Sequence, residues 1–119
     1  MSQPFSAGDN LVFQLESGFG VIRILAVEGE GSTAIWHLLV YGDFFPTVEA
    51  AELALAERHS LSVARSHLAL TDRAFERTPT ARVGHHELSD EEVASFKHWQ
   101  DVSDRVVSDR SLLLMLGMR

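Results

Sequence analysis

Histidine is the side chain best suited to moving protons near neutral pH or to holding a metal, and this chain of 119 residues carries six. His85 and His86 are neighbours. On a strand they would point to opposite faces, and on a helix they would sit about 100° apart, so the two cannot clamp one ion. His85 and Glu87 would share a face if their segment is a strand. With His37 and His67 brought in from elsewhere, they would form a cluster of His37, His67, His85 and Glu87 able to serve a small enzyme or a ligand-binding protein. Surface or hydrogen-bonded histidines are the commoner outcome, and the reading adopted is no metal and no cofactor. Nucleophilic chemistry has little support: there is no Gly-x-Ser-x-Gly turn, and Ser66 and His67 diverge if they lie on a strand. Glu28 and Glu30, and Asp90, Glu91 and Glu92, are paired acids, but they sit in a turn and at a helix start, where a structural role suffices. Gly29-Glu30-Gly31 is too short to cradle phosphate, and its acid would repel it. No catalytic residue is assigned.

The composition narrows the partners. Seventeen acidic residues against ten basic ones give a net charge of −7, which argues against nucleic acid and favours a basic protein partner. No cysteine is present, so disulfides and thiolate chemistry are excluded. Met1-Ser2-Gln3-Pro4 has no signal-peptide character, and the apolar run Leu112 to Leu116 is too short to cross a bilayer. The expectation is a cytoplasmic protein with no membrane contact. Arg supplies nine of the ten basic residues, a bias that GC-rich bacterial coding favours. The length fits one domain, 1–119, with no repeat or linker, and leaves the oligomeric state open.

The elements that must position these residues follow from periodicity. Leu11, Phe13 and Leu15 alternate with Val12, Gln14 and Glu16, the pattern of a half-buried strand. Gly18 and Gly20 suit a hairpin turn, and Phe19 to Val27 is a second strand, apolar on both faces except at Arg23. Thr33 to Tyr41 is a third strand. Together, residues 1–46 read as a three-stranded meander holding Leu11, Phe13, Leu15, Ile22, Ile24 and Ile35 inside. Thr47 caps a helix from about Val48 to Arg58, with Arg58 and His59 near its negative end. Residues 60–70 fit a strand with a bulge or a helix. Thr71 to Phe75 is a turn that buries Phe75, and Ala81 to Leu88 is a short strand. Ser89 and Glu92 form a capping box opening a helix with Phe96 and Trp99 on its packed side. The tail, Asp101 to Arg119, is expected to continue as helix and end near Gly117. The fold class is α+β: an antiparallel meander or small SH3-like barrel with two or three packed helices.

Phe44 and Phe45 follow Gly42-Asp43 and precede Pro46. Two adjacent rings cannot easily both face one core, so one is expected to stand in a loop as an interaction anchor. Glu28, Glu30 and Asp43, from successive turns, are expected to form an acidic rim around it.

Phe5-x-x-Gly8-Asp9, the alternating strand, Gly18-Phe19-Gly20 and Ile22-x-Ile24-Leu25 resemble the opening of bacterial SH3-like small barrels. The nearest family is an immunity-protein family of polymorphic toxin systems. Leu88, the acidic helix start and Phe96-x-x-Trp99 are similar to that family's closing helix. The resemblance covers the first third of the chain and leaves Thr47 to Ala81 unmatched. It implies a non-enzymatic protein that binds and neutralises another protein, which the acidic balance would suit if that toxin is basic.

Overall fold

The computed structural model describes residues 5–57 and 60–117. Five strands form one antiparallel sheet: β1 (Asp9–Leu15), β2 (Gly18–Glu28), β3 (Ile35–Tyr41), β4 (Val63–Thr71) and β5 (Thr80–His85). Their spatial order is β4-β3-β2-β1-β5. The first four strands run as a meander. The fifth crosses to the far edge and pairs antiparallel with β1, Asp9 opposite His85. Helix α1 (Val48–Leu55) links β3 to β4, α2 (Asp72–Glu76) links β4 to β5, and α3 (Asp90–Asp101) and α4 (Leu112–Leu116) follow. The domain is α+β, a small barrel-like or meander sheet carrying helices on both sides.

The period-2 alternation of the strands sorts side chains between two cores. Leu11, Phe13, Ile22, Ile24, Trp36, Leu38 and Leu70 face Phe75 of α2 and Leu112 of α4. Trp36 stacks on Phe75 at 4.4 Å, and its indole N–H donates to Asp72 Oδ1 at 2.9 Å. Val12, Val21, Leu25, Leu39 and Tyr41 face Ala51 and Leu55 of α1 and Phe96 of α3. Strands β2 and β3 are apolar on both faces because both faces are covered. Ile35 and Leu15, expected inside, are only half-buried because they lie at strand ends.

Gly20 has a different job from the one its neighbourhood implies. The β1–β2 turn is Glu16-Ser17, and Gly20 lies within β2 opposite Phe13. A Cβ at Gly20 would stand 2.3 Å from Phe13 Cζ, so glycine is there to let the ring cross the strand.

Two segments, the end of α1 and the tail, depart from expectation, and the stretch 60–70 takes the first of its two open alternatives. Helix α1 closes at Leu55, three residues early, and the expected dipole role of Arg58 and His59 lies outside the described residues. The ambiguous stretch is a strand from Val63. Its register against β3 shifts between Leu38 and Val40 and again before Tyr41, which accounts for the reversed apolar phase of Leu61/Val63 against Leu68/Leu70. The tail is not one continuous helix. After Asp101 the chain turns extended at Val102 and crosses the edge of β4. There Ser108 N–H donates to the Ala69 carbonyl at 2.8 Å, and Thr71 N–H donates to the Ser108 carbonyl at 3.0 Å. Residues 101–110 lack an apolar helical stripe, and pairing with an open sheet edge satisfies their backbone instead. Ser111 then caps α4, which closes on Gly117 at φ 67°.

Candidate functional site

Two places hold the residues singled out by sequence, at different parts of the sheet. The first is the loop after β3. Gly42 N–H donates to the Ser62 carbonyl at 2.7 Å, and Asp43 Oδ2 accepts from Ser62 N–H at 2.7 Å. Two residues on, Phe45 exchanges both backbone hydrogen bonds with Phe19, at 2.8 and 2.9 Å. Phe45 packs against the core under α1, and Phe44, held between these two pins, is 51 % exposed. Thr47 Oγ1 accepts from Ala50 N–H to start α1, whose outward face carries Glu49, Glu52 and Leu53.

Glu28 and Glu30 do not rim this ring. Glu28 closes β2 opposite Ile35, whereas Phe45 bridges to Phe19 at the start of β2. Nine residue steps of strand, roughly 30 Å if extended, separate Phe19 from Glu28. The acids near Phe44 along the chain are Asp43, already engaged with Ser62, and the exposed Glu49 and Glu52.

The second place is a buried histidine pair. His37 projects from β3 onto the α1/α3 face and is fully buried. Its Nε2 stands 2.7 Å from Glu28 Oε1 and its Nδ1 2.8 Å from His67 Nε2 on β4. Phe96 and Trp99 of α3 roof it, with ring centroids 4.4 and 4.7 Å away. An ionised carboxylate only accepts, so His37 Nε2–H donates to Glu28. His37 Nδ1 then accepts from His67 Nε2–H, and His67 keeps a lone pair on Nδ1. Burial pushes both rings down from the ordinary histidine value, with Glu28 opposing. His67, which also feels His37, is lowered to about 4. Beside His67 a groove of about 480 Å³ opens between β4 and α3, lined by Ser66, Ser95, His98, Trp99 and Val102 among others. Ser95 Oγ–H donates to Ser66 Oγ at 2.9 Å.

The cluster of His37, His67, His85 and Glu87 is therefore not assembled. His37 and His67 meet, and their acid is Glu28. His85 ends β5, at the opposite edge of the sheet from β4, four strand spacings or about 19 Å away. Glu87 lies past the end of β5 and shares no strand face with His85. His85 Nδ1 instead lies 2.7 Å from Asp9 Oδ1. Burial would raise the Asp9 carboxyl, but the Ser6 amide, His85 and Arg82 outweigh it and hold it below its ordinary value. Among the described residues no three His, Asp or Glu side chains converge on a point where a metal would sit.

Arg23, the exception in an apolar strand, is fully buried on the same face as His37. Its Nη1 donates to Asn10 Oδ1 at 2.6 Å and its Nη2 to the His86 carbonyl at 3.2 Å. Its Nε lies 2.7 Å from Glu92 Oε2, a close ionic contact without hydrogen-bond alignment. The same Glu92 completes the capping box, accepting from Ser89 N–H at 2.9 Å. A charge inside a strand covered on both faces must be paired. That rule, applied to the sequence, marks Arg23 as important but does not name its partner.

Comparison of the chain with protein-family models, with curated proteins and with solved structures finds no match.

Proposed function

We propose that this chain is a non-enzymatic protein-binding module that takes a basic protein as partner, in the manner of an immunity protein that neutralises a basic toxin. The observation that carries the reading is Phe44: a large ring half in solvent, on a loop held by backbone or side-chain hydrogen bonds on either side. An aromatic displayed without loop disorder loses little conformational entropy on binding, which is what an interface anchor requires. The net charge of −7 and the outward acids Glu49 and Glu52 suit a cationic partner. The resemblance of the opening hairpin to an immunity-protein family points the same way. The test is capture from the native cell with wild-type and Phe44→Ala protein in parallel, read by mass spectrometry. The expected result is a basic protein retained by the wild type and lost by the variant. Equal recovery on both, or partners with no basic character, would overturn the reading.

A further inference from the structure

The groove between β4 and α3 has a polarity fixed by the hydrogen-bonded chain behind it. Glu28 accepts from His37, and His37 accepts from His67, which leaves His67 Nδ1 as a lone pair. Among the described residues that nitrogen has no hydrogen-bond partner, and His67 lines the groove. Ser66 and His67 do not diverge as strand neighbours would: they sit at the register shift of β4 between the partners of Leu38 and Val40, and both reach α3, where Ser66 Oγ accepts from Ser95, so its own hydroxyl hydrogen is left to donate. The groove thus presents an acceptor and a donor from neighbouring residues, with Trp99 as an aromatic wall. Among the described residues no Lys, Arg, Asp or Glu lines it.

These features discriminate between ligand classes. An anion would face the His67 lone pair, while Arg105 on the Trp99 ring has its Nε and Nη2 turned to the carbonyls of Val102 and Gln100. An organic ammonium at the Trp99 ring would meet the like charge of Arg105, whose guanidinium carbon lies 5.7 Å from the centroid, a repulsion that a neutral ring does not feel. Arg105 is also fixed there by hydrogen bonds to the carbonyls of Gln100 and Val102. A neutral flat ring with an N–H beside a ring nitrogen or carbonyl satisfies both polar groups and lies against the indole.

We infer that this groove binds a neutral planar heterocycle of the azole or nucleobase kind, its N–H donated to His67 Nδ1 and its neighbouring acceptor taking the Ser66 hydroxyl. His37 and Glu28 are positioning residues: they fix the His67 tautomer and do not touch the ligand. The inference is independent of the protein-binding role of Phe44.

Benzimidazole, which carries one N–H and one ring nitrogen, is the probe, titrated into isotope-labelled protein and followed by NMR. Saturable shifts are expected at Ser66, His67, Ser95 and the Trp99 indole N–H. N-methylbenzimidazole, which keeps the ring and loses the donor, is expected to bind about tenfold more weakly, because the His67 lone pair would be covered without a partner. Since replacing His67 can unseat α3, the deciding variant is Ser66→Ala, an exposed hydroxyl whose loss leaves both cores intact. It should fold as the wild type and bind benzimidazole several-fold more weakly. Absence of saturable shifts, equal affinity for the methylated probe, or unchanged affinity of Ser66→Ala would each overturn the assignment.

Discussion

His37 lies fully buried under α3 with both ring nitrogens engaged, one by Glu28 and the other by His67. Burial makes both histidines harder to protonate in the fold, and that has a pH signature. Between the ordinary histidine value of 6.5 and the folded value of His67, about 4, the unfolded chain takes up protons that the folded chain refuses. More protons on the unfolded state means that stability rises with pH in this window. The contribution of His67 is therefore fully present above 6.5 and is lost as pH drops towards 4. The carboxylates of Asp9 and Glu92, held below their ordinary values, add a further loss lower down, as they protonate. Urea midpoints taken stepwise through this range should show the decline, and the His67 ring proton should titrate near 4 by NMR. A His67 midpoint at or above 6.5 would refute the buried pairing. The residue scale also gives a packing prediction. Phe13→Ala should cost about 3–5 kcal/mol, because the ring fills the core over Gly20. Gly20→Ala should cost roughly 1–3 kcal/mol by forcing that ring aside. Calorimetry or urea melts of both variants decide, and a Gly20→Ala protein as stable as wild type would mean that the ring can move freely.

At the scale of elements, what was legible in the sequence is what is local. The Ser89–Glu92 capping box spans three residues, and helix α3 begins where it says. The β1–β2 hairpin and β3 announce themselves by alternation and short turns. The double register shift of β4 was not legible, since a shift appears only against a partner strand. Nor was the break after Asp101, where the pairing of Ser108 with a sheet edge some 40 residues upstream competes with helix. The two pairings that matter most to the candidate site, Arg23 with Glu92 and His37 with His67, join residues 69 and 30 apart in the chain. Only the fold reveals them. Helix α3 has no fully buried residue, so its seat depends on half-buried Phe96 and Trp99 and on the Arg23–Glu92 pair. Removing the cap alone, Ser89→Ala, should cost about 0.5–2 kcal/mol. Glu92→Ala removes a cap partner and also strands the buried Arg23, so it should cost more, about 3–5 kcal/mol. Far-ultraviolet melts of the two variants give the ranking, and equal losses would show that Arg23 finds another partner.

For the whole molecule, charge and exposed apolar groups are separated in a way that makes the binding reading testable by kinetics. Glu28 and Glu30 lie at the far end of β2 from the Phe44 loop, while Glu49, Glu52 and Leu53 stand on the helix that the loop leads into. Exposed charges steer a partner during approach, and salt screens them beyond about 10 Å at 0.1 M ionic strength. A desolvated aromatic anchor acts after contact, by holding the complex together. With the captured partner in hand, Glu49→Lys with Glu52→Lys should slow association at low salt and change little at high salt. Phe44→Ala should leave association nearly unchanged and speed dissociation. Glu28→Lys with Glu30→Lys serves as the distant control, and Glu28 also holds His37. Its folding must therefore be checked by the NMR signals of the histidine pair before its rates are compared. Surface-plasmon measurements across a salt series separate these effects. If the distant pair alters association as strongly as Glu49 and Glu52 do, approach is governed by the net charge of −7 rather than by the face around Phe44. If Phe44→Ala also leaves dissociation unchanged, the interface lies elsewhere on the molecule.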